Sequence, residues 1–227
     1  MLATIQKIFT IENILFLLNG AKLSLFIAIC ATFFGIILGI IAAVFRTCRS
    51  KVLNLIGKWY IDIIRGTPMM LQLSFFYLGV PMLYQMITGS YLGLSSLPVG
   101  IIAISINSGA YSCELIRSAI NSIDRGQWEA GMSIGLSDSQ VMKEIILPQS
   151  FKRIVPPMTS EFITLIKDSS LVSTIGVVEL NKSSAILGAR FYNYFFPMIG
   201  AGIIYLVLTL VISKFAAKLE RKLAESD

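Results

Sequence analysis

The chain of 227 residues is 55% hydrophobic and only 14% charged, and it contains no histidine. A water-soluble domain of this length carries more charge to cover its surface, so the composition excludes an ordinary soluble fold. The lack of histidine removes the commonest general base and metal ligand, which disfavours hydrolases and metalloenzymes. The net charge of +6 invites a nucleic-acid partner, but the basic residues cluster at the ends of apolar tracts, so we expect none.

Three uncharged tracts indicate where the chain crosses a membrane. Residues 23–45 and 191–213 contain no charged residue, and neither do residues 66–113, a tract too long for one span. About 20 apolar residues cross a bilayer as a helix. We therefore predict an all-α, polytopic membrane protein with a single transmembrane domain over residues 1–227. Its five expected spans cover about 20–45, 58–80, 95–120, 152–176 and 192–217.

The first two spans carry local packing signals. The first residues lack the basic start and cleavage site of a signal peptide, so we expect the first span to remain in the mature protein. Gly35 and Gly39 form a G-x-x-x-G motif, which permits close packing of helices. In the second span, Asp62 and Arg65 have the spacing of an intrahelical ion pair, and Pro68 is expected to bend the helix.

Polar residues inside the third and fourth spans are candidate binding residues. Ionisable groups are costly within a membrane, so each is a functional candidate by default. Glu161 and Asp168 are seven residues apart, which places them on one helix face about 10.5 Å apart. Thr164 lies on the same stripe, and the carboxylates suit an ammonium or guanidinium group. The alternative is that Asp168 caps a helix break at "KDSS" while Lys167 pairs with an acid.

The third span offers one further candidate and one structural pair. Asn107 is a polar residue within the span, which fits a substrate contact or a hydrogen bond between helices. Glu114 and Arg117 are three residues apart near its end, so we expect an intrahelical ion pair there. Cys30, Cys48 and Cys113 have no spacing typical of a metal site, so we predict no metal.

Loop charges orient the predicted bundle, because basic residues concentrate in cytoplasmic loops. The connection 81–94 is uncharged and is assigned to the outside. With five spans, this rule places the N-terminus outside and the C-terminus in the cytoplasm. The basic residues assigned to the cytoplasmic side are Arg46, Arg49, Lys51, Lys58, Arg117, Arg125, Lys143, Lys152, Arg153, Lys214, Lys218, Arg221 and Lys222.

The loop at about 124–148 is predicted to be a folded hairpin of two short helices. Residues 127–134 form the first helix, which ends at Gly135, where a missing Cβ permits a sharp turn. Ser137 and Gln140 form an S-x-x-Q capping box that starts the second helix. Pro148 is expected to end it before the next span. Such a hairpin could dock another protein or rest on lipid headgroups.

The hairpin sequence also resembles a known motif. Its residues reproduce the EAA-x3-G-x9-I-x-LP loop of ABC importer permeases, with Gly131 in place of the second alanine. The stretches "RGTPMMLQLSFFYLGVP", "GAYSCELIRSAINSIDRGQWEAG" and "LIKDSSLVSTIGVVEL" resemble the polar amino-acid uptake subfamily. The resemblance implies that the loop couples to an ATPase through Glu129, Ala130, Gly131, Gly135, Leu136, Ile145, Leu147 and Pro148.

This resemblance implies a type I ABC importer permease fold and a function in the uptake of polar, including cationic, amino acids by alternating access. The implied partners are two ABC ATPase subunits, an extracytoplasmic amino-acid-binding protein and a second permease copy, identical or related, in the bacterial cytoplasmic (inner) membrane. A gating role is implied for Arg65, Gly66, Thr67 and Pro68. The sequence lacks the phosphate loop G-x-x-x-x-G-K-[ST], so we expect no cofactor here and ATP–Mg on the partner.

Two other functional classes fit the sequence less well. An ion-gradient-driven secondary transporter of small polar solutes also carries acidic residues in its spans, but it usually needs more helices and an internal repeat. An intramembrane enzyme has little support, because the chain has no histidine and no clustered pair of nucleophile and base. We therefore expect a transport subunit that has no enzymatic activity of its own.

Overall fold

The computed structural model describes residues 6–48 and 50–224, so Arg49 of the first basic loop and both ends of the expected domain lie outside it. Within the described residues the secondary structure is helical, without a strand, which confirms the all-α fold class. The main helices are α1 (Ile11–Thr47), α2 (Lys51–Gly66), α3 (Met69–Thr88), α4 (Ser96–Asn121), α5 (Arg125–Ser133), α6 (Leu147–Asp168), α7 (Leu180–Arg190) and α8 (Phe195–Ala224).

Shorter helical segments adjoin three of these helices. A π-helical turn, Phe75–Gly79, lies inside α3. The segments Asp138–Gln140 and Val141–Ile146, the second of them π-helical, lead directly into α6. A 3₁₀ segment, Ser169–Ile175, follows α6 and ends at Gly176, whose φ of 93° favours glycine.

Four of the described helices are long and apolar enough to cross a membrane, namely α1, α3, α4 and most of α8. Helix α6 has 22 residues, or about 33 Å, which also matches the thickness of a hydrocarbon core. It is too polar to be identified from hydropathy because it contains Glu161, Lys167 and Asp168. The expected span 152–176 thus corresponds to most of α6 together with the 3₁₀ segment. The polytopic bundle that the apolar tracts predict is confirmed.

The second expected span differs from its prediction. Residues 58–80 do not form one helix, because α2 ends at Gly66 and α3 begins at Met69. Thr67 between them is extended, with φ −121° and ψ 145°. Proline has no N–H and disfavours a helical residue before it, so Pro68 breaks the helix instead of bending it. Helix α3 then continues beyond 80 to Thr88.

Close packing between α1 and α4 confirms the role expected for the G-x-x-x-G motif. A Cβ added at Gly35 would lie 2.6 Å from Ser108 Oγ, and one at Gly39 would lie 2.6 Å from Ser112 Cβ. Both distances are too short for a non-bonded contact of a Cβ atom, so only glycine permits this approach. The residue numbers rise together in the two pairs, and α1 and α4 are therefore parallel.

Other contacts fix the direction of the remaining long helices. Ser24 of α1 lies 3.4 Å from the hydroxyl of Tyr205 of α8, and a Cβ at Gly200 would lie 3.6 Å from Leu17 Cδ1. The residue numbers rise together in these two pairs, so α1 and α8 are parallel. A Cβ at Gly100 of α4 would meet Val172, which follows α6, so α4 and α6 are antiparallel. The C-terminal ends of α1, α4 and α8 and the start of α6 therefore lie on one side. The main core beneath these contacts contains Ile27, Ala28, Ala31, Leu73, Ala103, Ile104, Leu165, Ile166, Val172, Ile175 and Val177.

Candidate functional site

The acidic residues of α6 lie on a face that the single chain leaves partly uncovered. Leu165 and Ile166 are buried against the core, whereas Thr164 is exposed and Glu161 and Asp168 are half-buried. Thr164 donates its hydroxyl to the Ser160 carbonyl at 3.1 Å, within the same helix. Among the described residues, neither carboxylate forms an ion pair within 4 Å. The stripe expected for a substrate therefore exists as one accessible face.

Within the described residues, Asp168 makes no capping bond and Lys167 makes no ion pair within 4 Å. Asp168 is the last residue of α6, and its side chain makes no capping hydrogen bond to the 3₁₀ segment that follows. Lys167 is exposed, and the ion pairs recorded among the described residues involve Arg65, Glu114 and Arg117 only. The helix does break at "KDSS", but not through a cap by this carboxylate.

Asn107 links α4 to α3 through a hydrogen bond. Its side chain is 8% exposed, and Nδ2 donates to Gln72 Oε1 of α3 at 3.0 Å. Gln72 in turn donates from Nε2 to the Ile64 carbonyl at 2.7 Å and to Thr67 Oγ1 at 2.8 Å. This arrangement matches the alternative in which Asn107 forms a hydrogen bond between two helices. Sequence reasoning missed Gln72, whose only signal was a long polar side chain four residues after Pro68.

Arg65 also contacts α4, although the sequence predicted a different partner. Its guanidinium lies 3.7 Å from Glu114 Oε2 and 5.3 Å from the centre of the Tyr111 ring. The expected pair with Asp62 does not form, because Arg65 turns toward the neighbouring helix and Asp62 stays exposed. The expected pair of Glu114 with Arg117 is confirmed, at 2.7 Å. Gly66 and Pro68 are exposed beside this contact.

The loop between α4 and α6 folds as a hairpin with its own small core. Asp124 accepts from the Gly126 N–H at 2.7 Å and begins α5. Gly135 has φ 89°, and the capping box of Ser137 and Gln140 is present, as predicted. Ile123, Val141 and Ile146 are buried in the hairpin, with Ile120, Trp128, Leu136, Met142 and Ile145 packed against them.

Two details of the hairpin differ from or extend the sequence prediction. Pro148 does not end the second arm, because Val141–Ile146 runs on into α6 and proline is tolerated in the first turn of a helix. A Cβ at Gly131 would lie 2.8 Å from Val141 Cγ2 and 2.9 Å from Ile145 Cδ1. Glycine in place of the motif's second alanine therefore lets the two arms approach closely.

The residues expected to couple to an ATPase divide into two groups. Gly131 is buried, and Leu136 and Ile145 are half-buried, so these three hold the hairpin together. Five others are exposed and available to a partner: Glu129, Ala130, Gly135, Leu147 and Pro148. Sequence reasoning missed the apolar tip, where Met132 is 47% and Ile134 is 77% exposed. Their position just before the turn at Gly135 was the available signal.

Glu179 is a second residue that sequence reasoning missed. It is fully buried directly before α7, and Oε2 accepts from Ser24 Oγ at 3.1 Å and from Tyr205 Oη at 2.8 Å. The Asn181 and Lys182 N–H groups also donate to this carboxylate, each at 2.8 Å. One side chain thus caps α7 and joins it to α1 and α8. An acid just before a helix was its sequence signal.

Comparison with known proteins agrees with this architecture. Residues 35–225 match the family described as binding-protein-dependent transport system inner membrane component. The chain is 38% identical over 214 residues to a putative glutamine transport system permease protein GlnP of Rickettsia bellii, covering 94% of this chain and 95% of the relative. It is also 38% identical over 220 residues to the arginine transport system permease protein ArtQ of Bacillus subtilis, covering 96% and 97%.

Solved structures show the same fold. An amino acid ABC transporter crystallised with histidines superposes with a TM-score of 0.85 at 34% identity, over 91% of this chain and 94% of that one. The MetNI methionine ABC transporter superposes with a TM-score of 0.71 at 18% identity, which supports the fold alone, over 95% and 99%. The chain has the ABC importer permease fold and belongs to the family of binding-protein-dependent transport system inner membrane components.

Proposed function

We propose that this chain is the permease subunit of an ATP-driven importer of polar amino acids, and that it works by alternating access. The observation that carries the proposal is the hairpin between α4 and α6, which has its own core and leaves Glu129, Ala130 and Ile134 exposed. A loop that only connects two spans has no need of a buried core. The similarity to permeases named for glutamine and arginine transport supports an amino-acid substrate.

The hairpin is the docking element for a separate ATPase in this proposal. The chain supplies no phosphate loop, so ATP–Mg is bound by two partner ATPase subunits. Apolar side chains at the tip, Met132 and Ile134, fit a cleft on such a partner because exposed apolar groups gain by burial. An amino-acid-binding protein delivers the substrate at the side of the membrane opposite the hairpin.

The acidic face of α6 is the proposed substrate path. Glu161 and Asp168 form no ion pair within 4 Å among the described residues, and Thr164 is exposed between them along the helix. A second permease copy would place an equivalent face across a central path. Partly desolvated carboxylates attract an ammonium or guanidinium group more strongly than they would in water, which favours cationic amino acids.

The proposed orientation places the N-terminus outside and the C-terminus in the cytoplasm of a bacterial inner membrane. The helix directions bring the basic segments around Arg46, Lys143 and Lys214 to one side of the bundle. A concentration of Lys and Arg on one side is the usual mark of the cytoplasmic face. The hairpin lies on this side, where ATP is available.

Co-purification tests the proposed function. The tagged chain, expressed in its native host, is expected to retain an ABC ATPase through purification. In vesicles, its ATP hydrolysis should rise when the amino-acid-bound binding protein is added. A variant that lacks residues 127–140 is the matched control and should lose the ATPase. Uptake driven by a proton or sodium gradient without ATP would support a secondary transporter instead.

A further inference from the structure

The helix break at Gly66–Pro68 is built from side chains that replace missing backbone hydrogen bonds. Pro68 has no N–H, so the Ile64 carbonyl lacks its normal helical donor, and Gln72 Nε2 supplies one at 2.7 Å. Thr67 Oγ1 donates to the Ile63 carbonyl at 2.8 Å and accepts from Gln72 at 2.8 Å. An unpaired carbonyl costs several kcal/mol in a membrane, so these bonds make the break tolerable.

Gln72 is also held by another helix. Gln72 is 7% exposed, and its Oε1 accepts from Asn107 Nδ2 of α4 at 3.0 Å. The Ile64 and Thr67 carbonyls can only accept, so they require the NH₂ end of Gln72 to face the break, and Asn107 then satisfies the oxygen end. Asn107 is itself buried, so water does not compete freely for the bond.

Both sides of the break are held by the same stretch of α4. On the α2 side, Tyr60 Oη donates to the Ile106 carbonyl at 2.6 Å, and Arg65 lies over the Tyr111 ring. On the α3 side, the polar contact is Gln72 with Asn107. Beside the break, a Cβ at Gly66 would meet no atom within 4 Å, which leaves room for rotation.

We propose that Gly66–Pro68 is a hinge between α2 and α3 and that Gln72 is its positioning residue, held in place by Asn107. The hinge holds its angle while α4 keeps Asn107 beside Gln72, and it is released when α4 shifts. Because α4 leads into the hairpin through Asp124, movement of the hairpin reaches the hinge through one continuous helix. The use of this hinge in transport rests on the proposed function, but its geometry does not.

A spin-label distance across the break tests the proposal directly. Labels at Ile56→Cys and Leu83→Cys, both exposed positions on either side of the hinge, are introduced after Cys30, Cys48 and Cys113 are replaced by serine. In the purified complex we expect a narrow distance distribution for the parent and a broadened one for Gln72→Leu. Gln85→Leu is the matched control, because this glutamine is exposed on the same helix, and its distribution should stay narrow.

Three further variants separate positioning from general destabilisation. Asn107→Leu should broaden the distribution, and the double variant with Gln72→Leu should broaden it no further than Gln72→Leu alone. Pro68→Ala restores the backbone N–H, so combined with Gln72→Leu it should return a narrow distribution. A narrow distribution for Gln72→Leu, or an additive effect in the double variant, overturns the proposal.

The reconstituted importer adds a functional readout. We expect Gln72→Leu to keep basal ATP hydrolysis within about twofold of the parent but to lower the amino acid transported per ATP at least about fivefold. Equal loss of both activities, with an unchanged distance distribution, would indicate a merely structural role and contradict the proposal. If the parent complex shows no ATP-dependent uptake, the proposed function fails, while the distance measurement still decides whether the hinge exists.

Discussion

At the residue scale, Glu179 shows how one buried carboxylate can organise three helices. Ser24, Tyr205 and two backbone N–H groups of α7 donate to it, so its removal leaves several buried donors without a partner. Each unsatisfied buried group costs about 1–3 kcal/mol. We therefore expect Glu179→Ala to lower the thermal unfolding temperature of the purified complex clearly, and Tyr205→Phe to lower it less.

Glu12→Ala serves as the control for Glu179, since it removes an exposed acid in the first turn of α1. It should leave the unfolding temperature nearly unchanged. Equal unfolding temperatures for Glu179→Ala and Glu12→Ala would show that the buried carboxylate does not hold α7 in place.

A second prediction at the residue scale is that Glu161 contacts a cationic substrate. Replacing it with glutamine removes a charge and keeps the shape, so we expect uptake of a cationic amino acid to fall at least about tenfold, equivalent to about 1.4 kcal/mol. Uptake of glutamine by the same reconstituted complex should change little. The measurement is the initial rate for both substrates, with Glu12→Gln as the control. Unchanged uptake of the cationic substrate would show that Glu161 does not contact it.

At the element scale, the pairing of α1 with α4 depends on glycine. A methyl group at Gly39 would lie 2.6 Å from Ser112 Cβ and 3.0 Å from the Cys113 backbone nitrogen, so the helices must separate. Overpacking of this kind costs about 1–3 kcal/mol. Gly39→Ala should therefore destabilise the protein in thermal unfolding. Gly202→Ala, where an added Cβ meets no atom within 4 Å, should be neutral or stabilising because alanine favours a helix.

The hairpin is the second element with a testable surface. Ile134 is 77% exposed at its tip, so Ile134→Glu should not unfold the hairpin core but should prevent apolar docking. We expect loss of most ATPase subunit from the purified complex, quantified by the ratio of the two chains. Ser139→Glu adds the same charge to the exposed second arm and should retain the partner. Full retention by Ile134→Glu would exclude the tip from the interface.

At the scale of the whole molecule, the helix directions make a prediction about topology. The connection after α3 and the hairpin lie at opposite ends of α4, so they should be on opposite sides of the membrane. In a background without native cysteines, an impermeant maleimide should label Ser90→Cys in intact cells with the outer membrane permeabilised. It should label Ser139→Cys only in inverted vesicles. Labelling of Ser139→Cys in intact cells would show that the protein has the opposite orientation.

Several features of this protein follow from short-range sequence patterns. The apolar tracts predicted the membrane-spanning helices, and the turn at Gly135 with its capping box predicted the hairpin, because these properties depend on neighbouring residues only. Pro68 marked the helix break, although its effect was predicted as a bend. The spaced residues of the hairpin also identified the family, which the match over residues 35–225 confirms.

The sequence by itself determined the membrane class, the folded hairpin and the family, since composition and local spacing carry that information. Only the tertiary structure decided that Arg65 turns to Glu114, that Asn107 bonds to Gln72, and that Glu179 joins three helices. Ser24 and Glu179 are 155 residues apart in the chain, and no local pattern specifies such a pair. Long-range polar contacts arise from helix packing, which depends on every buried side chain at once.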